Sequence, residues 1–224
     1  MSKNIALKIG ALTIGQSPRP DLVSPLIHCL PDGYQVLQAG ALDGLAVKSL
    51  PATTTGTYPL QTRLHDGTLV MVEETYLVPK LQQALNFLEE QGVLATLLLC
   101  AGTFAELRGT RPLFKPFTLG SGILRTRGLH AIGLIAPIKE QEIPIRLRWQ
   151  SAGFQPTVWT ADLTQQDKQF VHQLQRQIDS NKLECIVLDY VGHSVRVVRQ
   201  LQETTVIPVI DLGQLAIATL ATTL

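Results

Sequence analysis

Short apolar runs alternate with amphipathic stretches along this chain, and that alternation limits the possible folds more than any other feature. IGALTIG at 9–15, YQVLQAG, LATLLLC, HAIGLIAP, ECIVLDYVGH and TVIPVID read as strands. DLVSPLIHCL, LVPKLQQALNFLEEQG and DKQFVHQLQRQIDSNK carry apolar residues at helical spacing, and Gly92 is a natural C-cap for the second. Strands alternating with helices build an α/β sandwich around a mostly parallel sheet, with right-handed connections. TRLHDGTLVMV at 62–72 differs, because its alternation flanks Asp66-Gly67, a strong turn dipeptide, and predicts a β-hairpin. VIDLGQLAIATLATTL reads as a packed terminal helix.

A weak internal repeat runs through the pattern. Cys100 ends one buried strand and has Gly102 two residues on; Tyr190, 90 residues later, ends another and has Gly192 two residues on. Pro116 follows the first and Pro208 the second at similar distances. Each is then followed by a helix opened by small residues, GSGILRTRG and GQLAIATLATTL. The expectation is two pseudo-symmetric Rossmann-like lobes, 1–125 and 126–224, with mostly parallel sheets and a cleft between them. Cys100 and Tyr190 would face one another there, and the terminal helix has the option of packing across to the first lobe.

Composition narrows the function classes. At 224 residues and 45% hydrophobic the chain can bury a real core. The net charge is +1 and Lys and Arg are scattered, which argues against nucleic acid and anionic membrane surfaces as partners. LRTRGLH and IRLRWQ, the most basic patches, read as solvated helix faces. No apolar stretch reaches membrane-span length, and the N-terminus lacks the pattern of a signal peptide. Cys29, Cys100 and Cys185 are odd in number and widely spaced, without CxxC. That argues against structural zinc and a disulfide framework, and fits a cytoplasmic protein. Cys29 and Cys185 lie in apolar patterns and read as core residues.

In open α/β sheets ligands bind beyond the carboxyl ends of the strands. Cys100, Tyr190 and the GQSPR segment all sit there. A thiol beside backbone N–H groups of a glycine turn can titrate below its usual value of about 8.5 and act as base or nucleophile. The competing reading of Cys100 is a buried packing cysteine. In TIGQSPRPD, Gln16 and Ser17 offer neutral donors and Arg19 a planar fork suited to a carboxylate. The competing reading is a strand-to-helix turn. His193 is placed to titrate near neutral pH, and Arg63 on the hairpin can reach a ligand if the hairpin folds over the site. Asp189, one residue before Tyr190, points to the opposite face by strand alternation and reads as structural. No phosphate-binding glycine motif is present; GSG before a helix reads as a tight turn.

Taken in order, LTIGQSPRPD, GALDGL, TRLHDGT, LLLCAGTF and IVLDYVGH resemble the AroM family of bacterial proteins over nearly the whole chain. That family is similar to the aspartate/glutamate racemase-like superfamily. The resemblance implies two Rossmann-like lobes about a pseudo-twofold axis, with a site between them. Two thiols would flank a small carboxylate substrate, with no metal or organic cofactor. Cys100 matches the first thiol. The family pattern LDCMGY is LDYVGH here, so Tyr190 stands at the second thiol and His193 at a tyrosine. A phenol, with a pKa of about 10, is a poor base at neutral pH but a serviceable proton donor.

The sequence therefore predicts a cofactor-independent, racemase-, isomerase- or decarboxylase-like enzyme for a small carboxylate. Cys100, Tyr190 and His193 are its catalytic residues. Gln16, Ser17, Arg19, Arg63, Ala101, Gly102, Thr103 and Gly192 would hold the substrate. The alternative is a non-catalytic metabolite-binding protein that retains the cleft. A homodimer is the default assembly.

Overall fold

The computed structural model describes residues 6–51, 59–163, 166 and 168–224. By contacts the chain divides into two compact units, 1–116 with 216–224, and 117–215. Each is an α/β assembly on its own four-stranded parallel sheet.

In the first unit, β1 (Leu7–Thr13), α1 (Pro20–Cys29), β2 (Tyr34–Gly40), β3 (Pro59–Arg63), β4 (Leu69–Glu73), α2 (Glu74–Glu90), β5 (Ala95–Leu98) and β6 (Leu113–Phe114) follow in order. The sheet runs β2-β1-β5-β6, and β3 pairs antiparallel with β4 as the hairpin. Pro20 opens α1, where a missing N–H costs nothing. Leu77, Leu81, Leu85 and Leu88 of α2 are fully buried. Their spacing stacks one apolar stripe on the sheet. Gly92 ends this helix at φ +79, a left-handed turn that favours glycine.

From residue 116 on, α3 (Pro116–Thr126), β7 (Ala131–Ala136), α4 (Glu142–Ser151), β8 (Gln155–Thr160), α5 (Lys168–Asn181), β9 (Cys185–Leu188), α6 (Val195–Thr204), β10 (Val209–Asp211) and α7 (Leu212–Thr222) follow, and their strands form the second unit's sheet, of order β10-β9-β7-β8; α7 starts in the second unit and its residues from 216 group with the first. The two sheets correspond strand for strand: β2 with β8, β1 with β7, β5 with β9, β6 with β10. Helices α3 and α7 are each 11 residues long and follow corresponding strands.

Four elements, β6, β8, α4 and α6, do not stand out in the alternation. β6 is two residues long. β8 contains Pro156, which a sheet tolerates at an edge, and β8 is an edge strand. α4 exposes Ile143 and Leu147 while burying Trp149, so its apolar residues fall on both faces. Three expectations are corrected. Gly120 and Gly122 lie inside α3, not in a turn before it, and a Cβ on Gly120 would come within 2.2 Å of Leu212 Cδ2. Cys29 is exposed on the outer face of α1. Arg148 of IRLRWQ is buried, not solvated.

Candidate functional site

Both sheets gather chemistry at the carboxyl ends of their strands. In the first unit Cys100 lies two residues beyond β5, 9% exposed, and the Gly102 N–H points at its Sγ from 3.5 Å. An N–H in that position favours the thiolate over the thiol. Thr103 follows, half-buried, and then Phe104 at φ +40, a conformation uncommon outside glycine. Polar groups hold that residue on both sides. Its N–H donates to Glu74 Oε1 at 3.2 Å, and its carbonyl accepts from Lys115 Nζ at 2.7 Å. Lys115 also donates to the Leu107 carbonyl at 3.1 Å. Burial, and then the Arg108 charge, hold the Lys115 ammonium below its usual pKa. Gly102 has to be glycine here, since a Cβ would stand 2.6 Å from the fully buried Phe104 ring. Ala101 is buried beside it.

The loop after β1 is held by side chains the sequence offered as ligand donors. Gln16 Nε2 donates to the carbonyls of Leu42 and Leu45 at 2.9 and 2.7 Å, and its Oε1 accepts the His65 N–H at 2.7 Å. Asp43 accepts the Ser17 N–H at 2.6 Å, the Ser17 hydroxyl at 2.7 Å and the Gly40 N–H at 2.8 Å. Arg19 forms a two-point pair with Asp21, at 2.9 and 2.6 Å, which holds the Asp21 carboxyl below its ordinary range. Arg63 is exposed on the hairpin and donates to the Gly67 carbonyl at 3.3 Å. Gln16, Ser17 and Arg19 thus shape this loop with the same groups that were expected to meet a substrate.

In the second unit Tyr190 lies two residues beyond β9, the same offset as Cys100 from β5. Its ring lies against that of His193, with centroids 3.7 Å apart and the planes tilted by 45°. Burial pushes the Tyr190 phenol up to about 12, and the carboxylates of Asp211 and Asp162 add to the rise. Burial pushes the His193 imidazole down to about 4. Gly192, at φ +115, lets the chain turn between the two rings. One residue before Tyr190, Asp189 pairs with Arg148, with side chains 0% and 8% exposed. Burial still pushes the Asp189 carboxyl up to about 6, against the pull of Arg148 and the Trp149 indole. Arg148 also lies over the Phe117 ring, 4.8 Å from its centroid. A separate groove of about 750 Å³ lies between the end of β8 and α5, lined by Trp159, Asp162 and Arg176 among others.

The residue that sequence reasoning missed is Asp211, which ends β10. It is 6% exposed, and its Oδ1 accepts the Gln214 N–H at 2.8 Å, capping α7. Burial pushes its carboxyl up to about 6, against the opposing N–H groups of Gln214 and Gly213. The signal was available: Asp211 ends a strand of the repeat directly before a helix, where Lys115 stands in the first half. Among the described residues no group of three or more His, Cys, Asp or Glu is placed to hold a metal ion. No described helix is long and apolar enough to cross a membrane.

The two-sheet architecture recurs in solved structures. An aspartate racemase homologue from Pyrococcus horikoshii OT3 shares 11% identity, with 96% of this chain and 99% of that chain covered and a TM-score of 0.63. Arylmalonate decarboxylase shares 14%, with 97% and 92% covered and a TM-score of 0.64. The maleate isomerase Iso from Pseudomonas putida S16 shares 10%, with 97% and 92% covered and a TM-score of 0.62. At these identities the likeness is one of fold. None of the curated proteins matches the sequence. A family profile described as AroM protein matches residues 9–224, which takes in both sheets and every strand-end residue described above. The chain that carries Cys100 and Tyr190 at matched strand ends belongs to the AroM family.

Proposed function

We propose that the protein is an enzyme that moves a proton on a small carboxylate-bearing molecule without a metal or organic cofactor. Cys100 is the base or nucleophile and the Tyr190 phenol the acid. The observation that carries this reading is the Gly102 N–H directed at the Cys100 sulfur, two residues past a strand end. The structural relatives named for racemase, isomerase and decarboxylase activities support it. With its phenol at about 12, Tyr190 stays protonated at neutral pH, so it gives a proton and does not take one. His193, at about 4, is neutral there and serves as a hydrogen-bonding wall beside the phenol. Thr103 and the Gly102 and Gly192 backbones are the substrate contacts, together with whatever capacity Ser17, Arg19 and Arg63 keep beyond their internal bonds.

The test is alkylation by iodoacetamide against pH, read by peptide mapping. Cys29 is an exposed internal reference, and Cys185, pushed up to about 12 by burial, is an inert one. The expected result is a Cys100 rate that saturates below the pH of the Cys29 curve and falls when a small carboxylate is added. Tyr190 stands where the family resemblance implies a second thiol, and that favours one rival, a binding protein without turnover. Slow Cys100 alkylation, with a carboxylate still raising the melting temperature of Cys100→Ala, establishes the rival. We assign the protein to the reducing cytoplasm on its cysteine pattern and expect a homodimer, which light scattering measures.

A further inference from the structure

Two grooves of the second unit meet on α5. The larger, of about 750 Å³, runs between the end of β8 and α5, and the smaller, of about 530 Å³, lies over the first turns of α5. Gln169 and Arg176 line both, so the two form one trough. Its two ends differ in chemistry. In the larger groove Trp159 and Phe170 are half-buried and pack on the apolar cluster that Leu174 and Ile178 of α5 share. The Trp159 indole is held over β7, since a Cβ on Gly133 would stand 2.7 Å from its Cη2. A fixed aromatic surface that opens on a groove takes the face of a planar ring.

The smaller groove is cationic. Lys168, His172 and Arg176 recur every four residues and so share one face of α5. All three are exposed, and among the described residues neither Lys168 nor Arg176 has an ion-pair partner. Asp162 lines the larger groove only, so no described carboxylate lines the cationic end. Like charges on one helix face repel, and a bound anion relieves them. Eight residues of helix span about 12 Å. That is the length of one small ligand and is too short to track a nucleic-acid backbone.

We propose that this trough is a second ligand site, which takes a small molecule built of a planar ring and a phosphate group. The ring lies on Trp159 beside Phe170. The phosphate sits among Lys168, His172 and Arg176, where an ammonium, an imidazole N–H and a planar guanidinium fork meet its several oxygens. Neither Cys100 nor Tyr190 lines the trough, so the proposal stands or falls apart from the reaction proposed for them.

The experiment is titration of the full chain at pH 7.5 and low salt with phenyl phosphate, AMP, benzoate and inorganic phosphate, followed by calorimetry and tryptophan emission. Quenching reports on Trp159, because Trp149, the second tryptophan, is fully buried. The expected result is that phenyl phosphate or AMP quenches the emission and binds at least about tenfold more tightly than benzoate or inorganic phosphate. Lys168→Gln with Arg176→Gln changes two exposed side chains and is expected to remove that preference while the melting temperature stays put. Arg176→Gln alone stands in if the double variant does not fold. Binding of neither ring phosphate, benzoate binding as tightly as phenyl phosphate, or a preference that survives in the variant overturns the proposal.

Discussion

The rings of Tyr190 and His193 lie in contact, tilted by 45° with centroids 3.7 Å apart, and burial drives their titrations in opposite directions, the phenol up to about 12 and the imidazole down to about 4. Both are therefore uncharged from about pH 5 to pH 10. The expected outcome is an imidazole resonance, assigned by loss in His193→Gln, that titrates with a midpoint of about 4. Ultraviolet difference spectra against Tyr190→Phe show no tyrosinate until far above the usual pH. The sign for stability follows. Between about 4 and the ordinary 6.5 the unfolded chain binds the proton and the folded one does not. This contribution is complete above pH 6.5 and is lost as pH falls through that window.

Asp211 behaves in the opposite sense. Its folded pKa of about 6 lies above the ordinary 3.8, so the folded chain binds the extra proton. Its contribution is fully present below pH 3.8 and is lost as pH rises through about 6. Asp211→Asn keeps the cap and removes the buried charge. The variant is expected to be more stable than the native chain at pH 8, by up to about 3 kcal/mol, and to lose that advantage near pH 4. Thermal melts of both chains across that range decide it. No gain at pH 8 contradicts the burial of this carboxylate.

Arg148 and Asp189 are a buried pair, and breaking such a pair from one side is costly. Arg148→Met is expected to lose about 3–5 kcal/mol in urea denaturation at pH 7.5, because it leaves the Asp189 carboxylate unpaired in the interior. Arg148→Met with Asp189→Leu recovers most of the loss. Equal losses in the single and double variants would show that packing of the Arg148 stem on Phe117, and not the charge, is what matters there.

The Cys100 loop offers a separate test of preorganisation. Gly102→Ala forces a methyl group against the Phe104 ring at 2.6 Å, and Lys115→Met removes the amine that holds the Phe104 carbonyl. Overpacking costs about 1–3 kcal/mol. Each variant is expected to slow Cys100 alkylation severalfold at pH 7.5 and shift its pH profile upward, with the Cys29 rate unchanged. An unmoved profile in both would show that this loop does not tune the thiol.

The alternation of strands and helices and the spacing of Cys100 and Tyr190 were legible because both are local. A buried parallel strand is a short apolar run, and a strand-end loop announces itself by a glycine. What escaped was long-range. Arg148 looks like a solvated charge until β9 brings Asp189 beneath it. Asp211 looks like the polar end of a strand until the packing of the β9 loop on α7 takes it out of water. Gln16 and Arg19 have the right chemistry for a carboxylate, and only tertiary structure shows which internal partners engage them. Sequence lists the groups, while burial decides which are committed and which are left wanting a partner.

Gln16 has a consequence for motion. One amide bonds to the chain after β2 through its nitrogen and to the hairpin tip through its oxygen. Neither segment can open alone without stripping the same side chain. The His65 amide should therefore exchange with deuterium in step with the Leu42 and Ser17 amides, and Gln16→Ala should uncouple them into separate rates measured by mass spectrometry. The hairpin and the first loop are in that sense a single door, hung on one residue.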